Sequence, residues 1–181
     1  MMNMKAHLAE RHFDPSRYSG VLIDPSEEAV TFLLWNLSGQ CVGYQTYRPA
    51  GTKERNNIKG ESKYYLMPGE EDPNGVRDAR KRIAVWGLET YVPGETLYVT
   101  EGVFDAAVLH TLGLPAIAVL ANHPKKLRSW LRTLPNRTVA VVDGDSAGRK
   151  LGRVCDEMFE CPPGEDPSSL GPTALKAMLE L

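Results

Sequence analysis

Three carboxylates in two short segments, Glu101-Gly102 and Asp143-Gly144-Asp145, are the residues of this 181-residue chain best suited to chemistry. Glu101 follows directly on the apolar run Thr96–Thr100, and Asp143 on Thr138–Val142. Each segment therefore reads as the carboxyl end of a short strand. Alternate residues of an extended chain point the same way, so Asp143 and Asp145 can converge. Clustered carboxylates repel one another, and the usual compensation is a hard divalent cation, Mg²⁺ or Mn²⁺, bound through oxygen. Gly102 and Gly144 permit close backbone approach or unusual dihedrals beside the carboxylates. Ser146-Ala147-Gly148 then opens a helix whose free N–H groups suit an anion such as phosphate. Each feature taken singly has a plain explanation: a lone D-G-D is ordinarily an Asx turn, and a lone glutamate at a strand end is ordinarily solvated. Their occurrence at two strand ends is what points to a metal.

The elements that must position these residues alternate in type from Glu95 onward. Strands are expected over Thr96–Thr100, Pro115–Leu120 and Thr138–Val142. Helices are expected over Val103–Leu112, Lys125–Leu134, Ala147–Met158 and Thr173–Leu181. Near-continuous apolar strands separated by helices indicate an α/β fold, a Rossmann-like parallel sheet with helices on both faces. Ligands of such sheets sit at the carboxyl ends of the strands, which is where the three carboxylates fall. Residues 1–94 read as a smaller β-rich α+β subdomain, with a helix over Lys5–His12 and strands over Val30–Asn36 and Cys41–Tyr47. Leu37-Ser38-Gly39-Gln40 joins the two strands as a hairpin. The polar stretch Gly51–Lys63 reads as a loop, and Val76, Ala79, Ile83 and Trp86 recur at helical spacing over Gly75–Trp86. The expected division is thus 1–94 and 95–181.

Composition narrows the class of protein. With 42% hydrophobic and 24% charged residues and a net charge of −2, the chain is that of an ordinary globular protein. No apolar run is long enough for a membrane span, and the amino terminus carries no secretory signal. The three cysteines, Cys41, Cys155 and Cys161, contain no C-x-x-C pair, which argues against a zinc ribbon and a disulfide scaffold. A reduced, cytoplasmic protein is expected. The charge is unevenly spread. Residues 121–153 hold Lys125, Lys126, Arg128, Arg132, Arg137, Arg149, Lys150 and Arg153 against Asp143 and Asp145 alone. A basic stretch around isolated carboxylates suits a polyanion held near a metal ion, or a charged helix face.

Glu101-Gly102-Val103-Phe104-Asp105-Ala106, followed by Asp143-Gly144-Asp145-Ser146-Ala147-Gly148, resembles the paired E-G-x-x-D and D-x-D-x-A-G signatures of the Toprim fold. The similarity is greatest to the version in DnaG-type primases and phage primase-helicases. Gly164-Glu165-Asp166-Pro167-Ser168-Ser169-Leu170 is similar to the G-x-D-P-x-x-L segment that follows in those proteins. Before the Toprim region, Gly39-Gln40-Cys41-Val42-Gly43 leads to Arg48, and Ser62-Lys63-Tyr64-Tyr65 follows the basic loop, as in the β-rich subdomain of primases. Ala84-Val85-Trp86-Gly87-Leu88 is similar to the hydrophobic segment just before the first Toprim strand. Nothing resembles the zinc module of primases, and there is no nucleotide-binding P-loop of a helicase.

The resemblance implies a DNA primase catalytic core that makes short RNA primers on single-stranded DNA by metal-dependent nucleotidyl transfer. A phage or mobile element is the implied source, with action in the host cytoplasm. Asp143 and Asp145 would hold Mg²⁺ or Mn²⁺, and Glu101 would complete the site or act as general base. Asp105 would bind metal or stand behind the ligands, with Gly102, Gly144 and Gly148 shaping the site. Arg48 and Lys63 would meet the triphosphate or the template, and Lys125, Lys126, Arg128 and Arg149 would contact phosphates. Implied partners are the single-stranded template, NTPs and a replicative helicase or other replication protein. Zinc and a membrane are not among them. Two alternatives stay open on the same residues: a small Toprim nuclease, in which the carboxylates and metal activate water, and a non-catalytic nucleic-acid-binding replication module.

Overall fold

In the computed structural model, which describes residues 3–36, 38–53, 58–68, 83–120, 124–144 and 148–180, the first helix α1 (Met4–Glu10) buries Met4 and Leu8. Four residues apart, these two lie on one helix face. An antiparallel sheet follows, from β1 (Val21–Ile23), β2 (Val30–Trp35), β3 (Cys41–Tyr47) and β4 (Tyr64–Pro68), in the order β1-β2-β3-β4. Buried and half-buried side chains alternate strictly along β2, which sets its period-2 face and its register, with Val30 opposite Tyr47 and Leu33 opposite Tyr44. The β2–β3 hairpin lies where the Ser-Gly turn predicts it. β1 and β4 were not predicted, because three and five residues carry too little periodicity to separate from their flanks. Thr52 bridges Ser62 across the 51–63 stretch, so its ends are tied together. Together with the chain up to Ala84 these elements form one compact unit, Met1–Glu10 with Asp14–Ala84.

The second unit comprises Arg11–Phe13 and Val85–Leu181. Its elements are β5 (Leu97–Thr100), α2 (Val103–Thr111), β6 (Ala116–Ala118), α3 (Pro124–Leu131), β7 (Thr138–Val142), α4 (Gly148–Gly152), β8 (Glu157–Glu160) and α5 (Pro167–Met178). All four strands are parallel, in the order β6-β5-β7-β8. Every residue of β5, β6 and β7 is buried, as expected of parallel strands covered on both sides. The strand order reverses direction after β6. With right-handed crossovers, α2 and α3 then lie on opposite faces of the sheet, and the reversal falls between β5 and β7.

Three helix expectations need correction. Residues 75–82 lie outside the described residues, but Ile83–Trp86 is not helical. Trp86 instead exchanges two backbone hydrogen bonds with Ala118 as an antiparallel bridge, at 2.9 and 3.1 Å. The single helix expected over Ala147–Met158 stops at Gly152, and Glu157–Glu160 becomes the edge strand β8. The reason is long-range. The Asp156 carboxylate accepts from both the amide and the hydroxyl of Thr138 at the start of β7, at 2.7 and 2.8 Å, and this fixes the chain beside that strand. The helix expected from Thr173 starts six residues earlier, at Pro167. It is interrupted at Gly171, whose φ of 71° lies in the left-handed region, with Pro172 restarting it.

Candidate active site

The β5–β7 register pairs Val99 with Ala140, which brings Glu101 level with Val142 and one residue short of Asp143, so each carboxylate follows directly on the end of one of two neighbouring strands. That edge is also the topological switch point of the sheet, where ligands of open α/β folds bind. The Glu101 backbone is pinned from the β6 side, its carbonyl accepting from Leu120 N at 2.9 Å. Its side chain is half-buried, with Oε1 out of reach of solvent. Asp143 is half-buried as well. Asp145, together with Ser146 and Ala147, lies outside the described residues. Among the described residues no three histidine, cysteine or acidic side chains converge closely enough to hold a metal ion by themselves.

Behind the edge lies Asp105, one turn into α2. Its Oδ2 accepts from Gly102 N at 3.1 Å, capping the helix, and its Oδ1 accepts from Ser168 N on α5 at 3.2 Å. Burial, reinforced by the nearby Asp166 and Asp143 carboxylates, pushes its pKa up to about 7. The Ser168 amide and Arg11 oppose that shift and are outweighed. Arg11 lies 3.7 Å over the Phe104 ring and donates to Ser168 Oγ at 3.2 Å. Cys161, buried first of all and then surrounded by the charges of Asp143, Asp105, Asp166 and Glu165, has its thiol pushed up to about 12 and stays neutral. The carboxyl edge therefore carries a larger acidic cluster than the three carboxylates read from sequence. Asp166 could have been found from its own signature, since Asp-Pro-Ser-Ser is an N-cap followed by proline at the first helical position. Indeed Asp166 accepts from Ser169 N at 2.7 Å. Arg11 left no sequence signal, because its partners are more than ninety residues away.

The three glycines beside the site are there for closeness and not for dihedral freedom. A Cβ on Gly102 would come within 2.7 Å of Asp105 Oδ2, on Gly144 within 2.5 Å of the Pro162 carbonyl oxygen, and on Gly148 within 2.6 Å of the Asp143 carbonyl oxygen. None of the three has positive φ.

The basic candidates are dispersed. In the first unit, Arg48 and Lys63 are neighbours across β3 and β4, with Arg48 N donating to Lys63 O at 2.8 Å. Arg48 Nη1 is buried and has no hydrogen-bond partner among the described residues. Arg48 lines a cavity of about 760 Å³ together with Glu27, Glu28 and Glu61. Lys63 holds its ammonium 5.9 Å from the Tyr47 ring centroid. In the second unit, Arg149 is taken up by Glu160 at 2.6 Å. Arg128 donates to the Arg153 carbonyl at 3.0 Å and lines a pocket at the amino end of β7, away from the carboxylates. Lys125 and Lys126 lie on α3, and their side chains are outside the described residues.

No protein-family model and no curated protein matches the sequence. Solved structures do match. The E. coli primase catalytic core is 20% identical with a TM-score of 0.57, over 89% of this chain and 56% of that one. A DnaG primase catalytic domain bound to single-stranded DNA is 20% identical with a TM-score of 0.56, over 97% of this chain and 60% of that one. The primase fragment of the bacteriophage T7 primase-helicase is 13% identical with a TM-score of 0.57, over 84% of this chain and 61% of that one. The chain thus has the fold of DnaG-type primase catalytic cores and spans a little over half their length.

Proposed function

We propose that this chain is a primase-type nucleotidyl-transfer core, synthesising short RNA primers on single-stranded DNA in the replication of a phage or mobile element. The observation that carries the reading is the pair Glu101 and Asp143, ending neighbouring strands at the switch point of a sheet whose fold is that of primase cores. The DnaG domain solved with single-stranded DNA and the T7 fragment drawn from a primase-helicase support the template and helicase-type partners.

The donor chemistry fits a hard divalent ion. Every candidate ligand is a carboxylate oxygen, and the Asp166 and Asp143 carboxylates add to the burial that pushes Asp105 up to about 7. Glu101, Asp143 and Asp145 are the proposed ligands of Mg²⁺ or Mn²⁺, which when bound polarises the α-phosphate and neutralises charge on the leaving pyrophosphate. Asp105 acts behind them by fixing the first turn of α2 against α5, which holds Gly102 and hence Glu101 in place. Arg48, with a buried guanidinium nitrogen that has no hydrogen-bond partner among the described residues, and Lys63 are the proposed contacts to triphosphate or template.

The test is primer synthesis from labelled NTPs on single-stranded DNA with Mg²⁺ or Mn²⁺, comparing wild type with E101A, D143A and D145A. Short RNA products from the wild type, lost in all three variants, are expected. Metal-dependent degradation of the DNA without primers would replace this reading by a nuclease. Tight DNA binding with neither product would replace it by a binding module.

A further inference from the structure

The opposite edge of the parallel sheet carries a second arrangement that the carboxylates do not explain. At the amino end of β7 a pocket of about 250 Å³ is lined by Arg128, Arg132, Arg153, Thr138, Cys155 and Asp156, among others. At roughly 3.3 Å per strand residue, the five steps from Thr138 to Asp143 put it about 16 Å from the carboxyl edge. Three arginines line it against a single acidic residue, Asp156, whose carboxylate feels the charge of Arg132. That carboxylate, on Asp156, is already turned onto the Thr138 amide and hydroxyl, at 2.7 and 2.8 Å. Arg128 is drawn in by its bond to the Arg153 carbonyl, which leaves the rest of its fork open. Neither Arg132 nor Arg153 has a side-chain hydrogen bond or salt bridge to a described residue. Arg137, the next basic residue along, is by contrast paired with Glu157.

Three like charges around one small pocket repel unless an anion sits between them. The anion's class follows from size and lining. Sites that enclose a whole drug-sized ligand measure about 300 Å³ or more and are mostly apolar. This pocket is smaller and its lining includes three arginines, Thr138, Asn136 and Asp156, so it has no place for a base. It suits a compact group with several acceptor oxygens, and guanidinium forks match phosphate oxygens in pairs. Burial pushes the Cys155 thiol up to about 12, so the pocket offers no nucleophile and is a binding site only.

We propose that Arg128, Arg132 and Arg153 form a phosphate-binding site at the amino edge of the parallel sheet, separate from the candidate active site. The phosphate comes either from a free polyphosphate or from the backbone of a bound single strand. The site does not depend on what the carboxyl edge catalyses.

The experiment compares the wild type with R132A/R153A, two exposed side chains that bond no described residue. All binding is measured in EDTA, so that the carboxylate edge recruits no anion through a metal. Calorimetric titration with inorganic pyrophosphate is expected to show binding to the wild type and at least tenfold weaker binding to the double variant. Fluorescence anisotropy with labelled oligo-dT over a KCl series then identifies the source. A backbone site predicts that the variant loses affinity, that its salt slope falls by about 1.4 for two lost contacts at ~0.7 each, and that pyrophosphate competes with the oligonucleotide. A free-polyphosphate site predicts unchanged oligonucleotide affinity and slope. Equal pyrophosphate binding by both proteins, or none by either, together with an unchanged salt slope, would overturn the proposal.

Discussion

Burial holds the Asp105 carboxyl protonated up to about pH 7, and the Asp166 and Asp143 carboxylates add to the effect. In the unfolded chain the same group releases its proton near 3.8. Between those values the native state keeps a proton that the unfolded state has lost, so stability falls as pH rises from about 4 to about 7. Asp105→Asn removes this dependence. Urea unfolding in EDTA at pH 5 and pH 7.5 is expected to show a smaller loss for the variant than for the wild type, whatever the variant's absolute stability. An identical pH dependence would show that Asp105 titrates normally. The glycines make a steric prediction at the same scale. Gly144→Ala would press a methyl against the Pro162 carbonyl at 2.5 Å, and backbone cannot swing aside as a side chain does. A loss of about 1–3 kcal/mol is expected in urea unfolding, the usual cost of forcing extra atoms into a packed site.

Two elements depend on single acidic residues for different reasons. Asp166 caps α5, its Oδ1 accepting from Ser169 N at 2.7 Å, and its charge also helps to raise Asp105. Asparagine caps helices as well as aspartate does, while alanine does not. Asp166→Asn should therefore keep the stability within a few tenths of a kcal/mol and move the Asp105 titration downward. Asp166→Ala should in addition cost about 1 kcal/mol. Calorimetric Tm values for the pair separate cap from charge, and equal destabilisation by both would refute the cap. Asp156 ties β8 to β7, and its hydrogen bonds to the Thr138 amide and hydroxyl hold its pKa below the ordinary value. A depressed acid stabilises the fold above its unfolded pKa and ceases to do so as pH falls through the folded one. The gap between wild type and Asp156→Ala, about 1 kcal/mol at neutral pH for an exposed hydrogen-bonded carboxylate, should close on acidification below about pH 4. A gap unchanged at low pH would show that its bonds do not depend on the charge.

At the scale of the whole molecule, the candidate chemistry is split between two compact units. Arg48 and Lys63 stand in the first, and Glu101, Asp105 and Asp143 in the second. Among the described residues no helix is long and apolar enough to cross a membrane. If Arg48 meets the triphosphate, Arg48→Ala loses one charge-assisted contact of about 1.5–3 kcal/mol. The KM for NTPs in primer synthesis is then expected to rise at least tenfold with little change in kcat. A change confined to oligonucleotide affinity would assign Arg48 to the template, and no change in either would remove it from the reaction.

Local patterns were enough wherever the information was local. The apolar runs before Glu101 and Asp143, the helix Val103–Thr111 and the β2–β3 hairpin are all legible in the residues themselves, because burial and period are written into consecutive positions. That β5 and β7 are neighbours follows from pairing across the sheet, and only this turns two strand ends into one edge. The same is true of the corrections. Leu151, Val154 and Met158 have helical spacing, yet Asp156 finds Thr138 eighteen residues away and the segment becomes a strand. Trp86 falls at helical spacing from Val76, Ala79 and Ile83 in the sequence, yet its backbone pairs with Ala118. The burial of Asp105 against Ser168 and the gathering of Arg128, Arg132 and Arg153 at the far edge are likewise products of long-range contact. Sequence alone determined which residues carry charge and which runs seek burial. Tertiary structure decided which charges share a neighbourhood, because an electrostatic environment depends on distance through space, and the order of residues along the chain does not specify it.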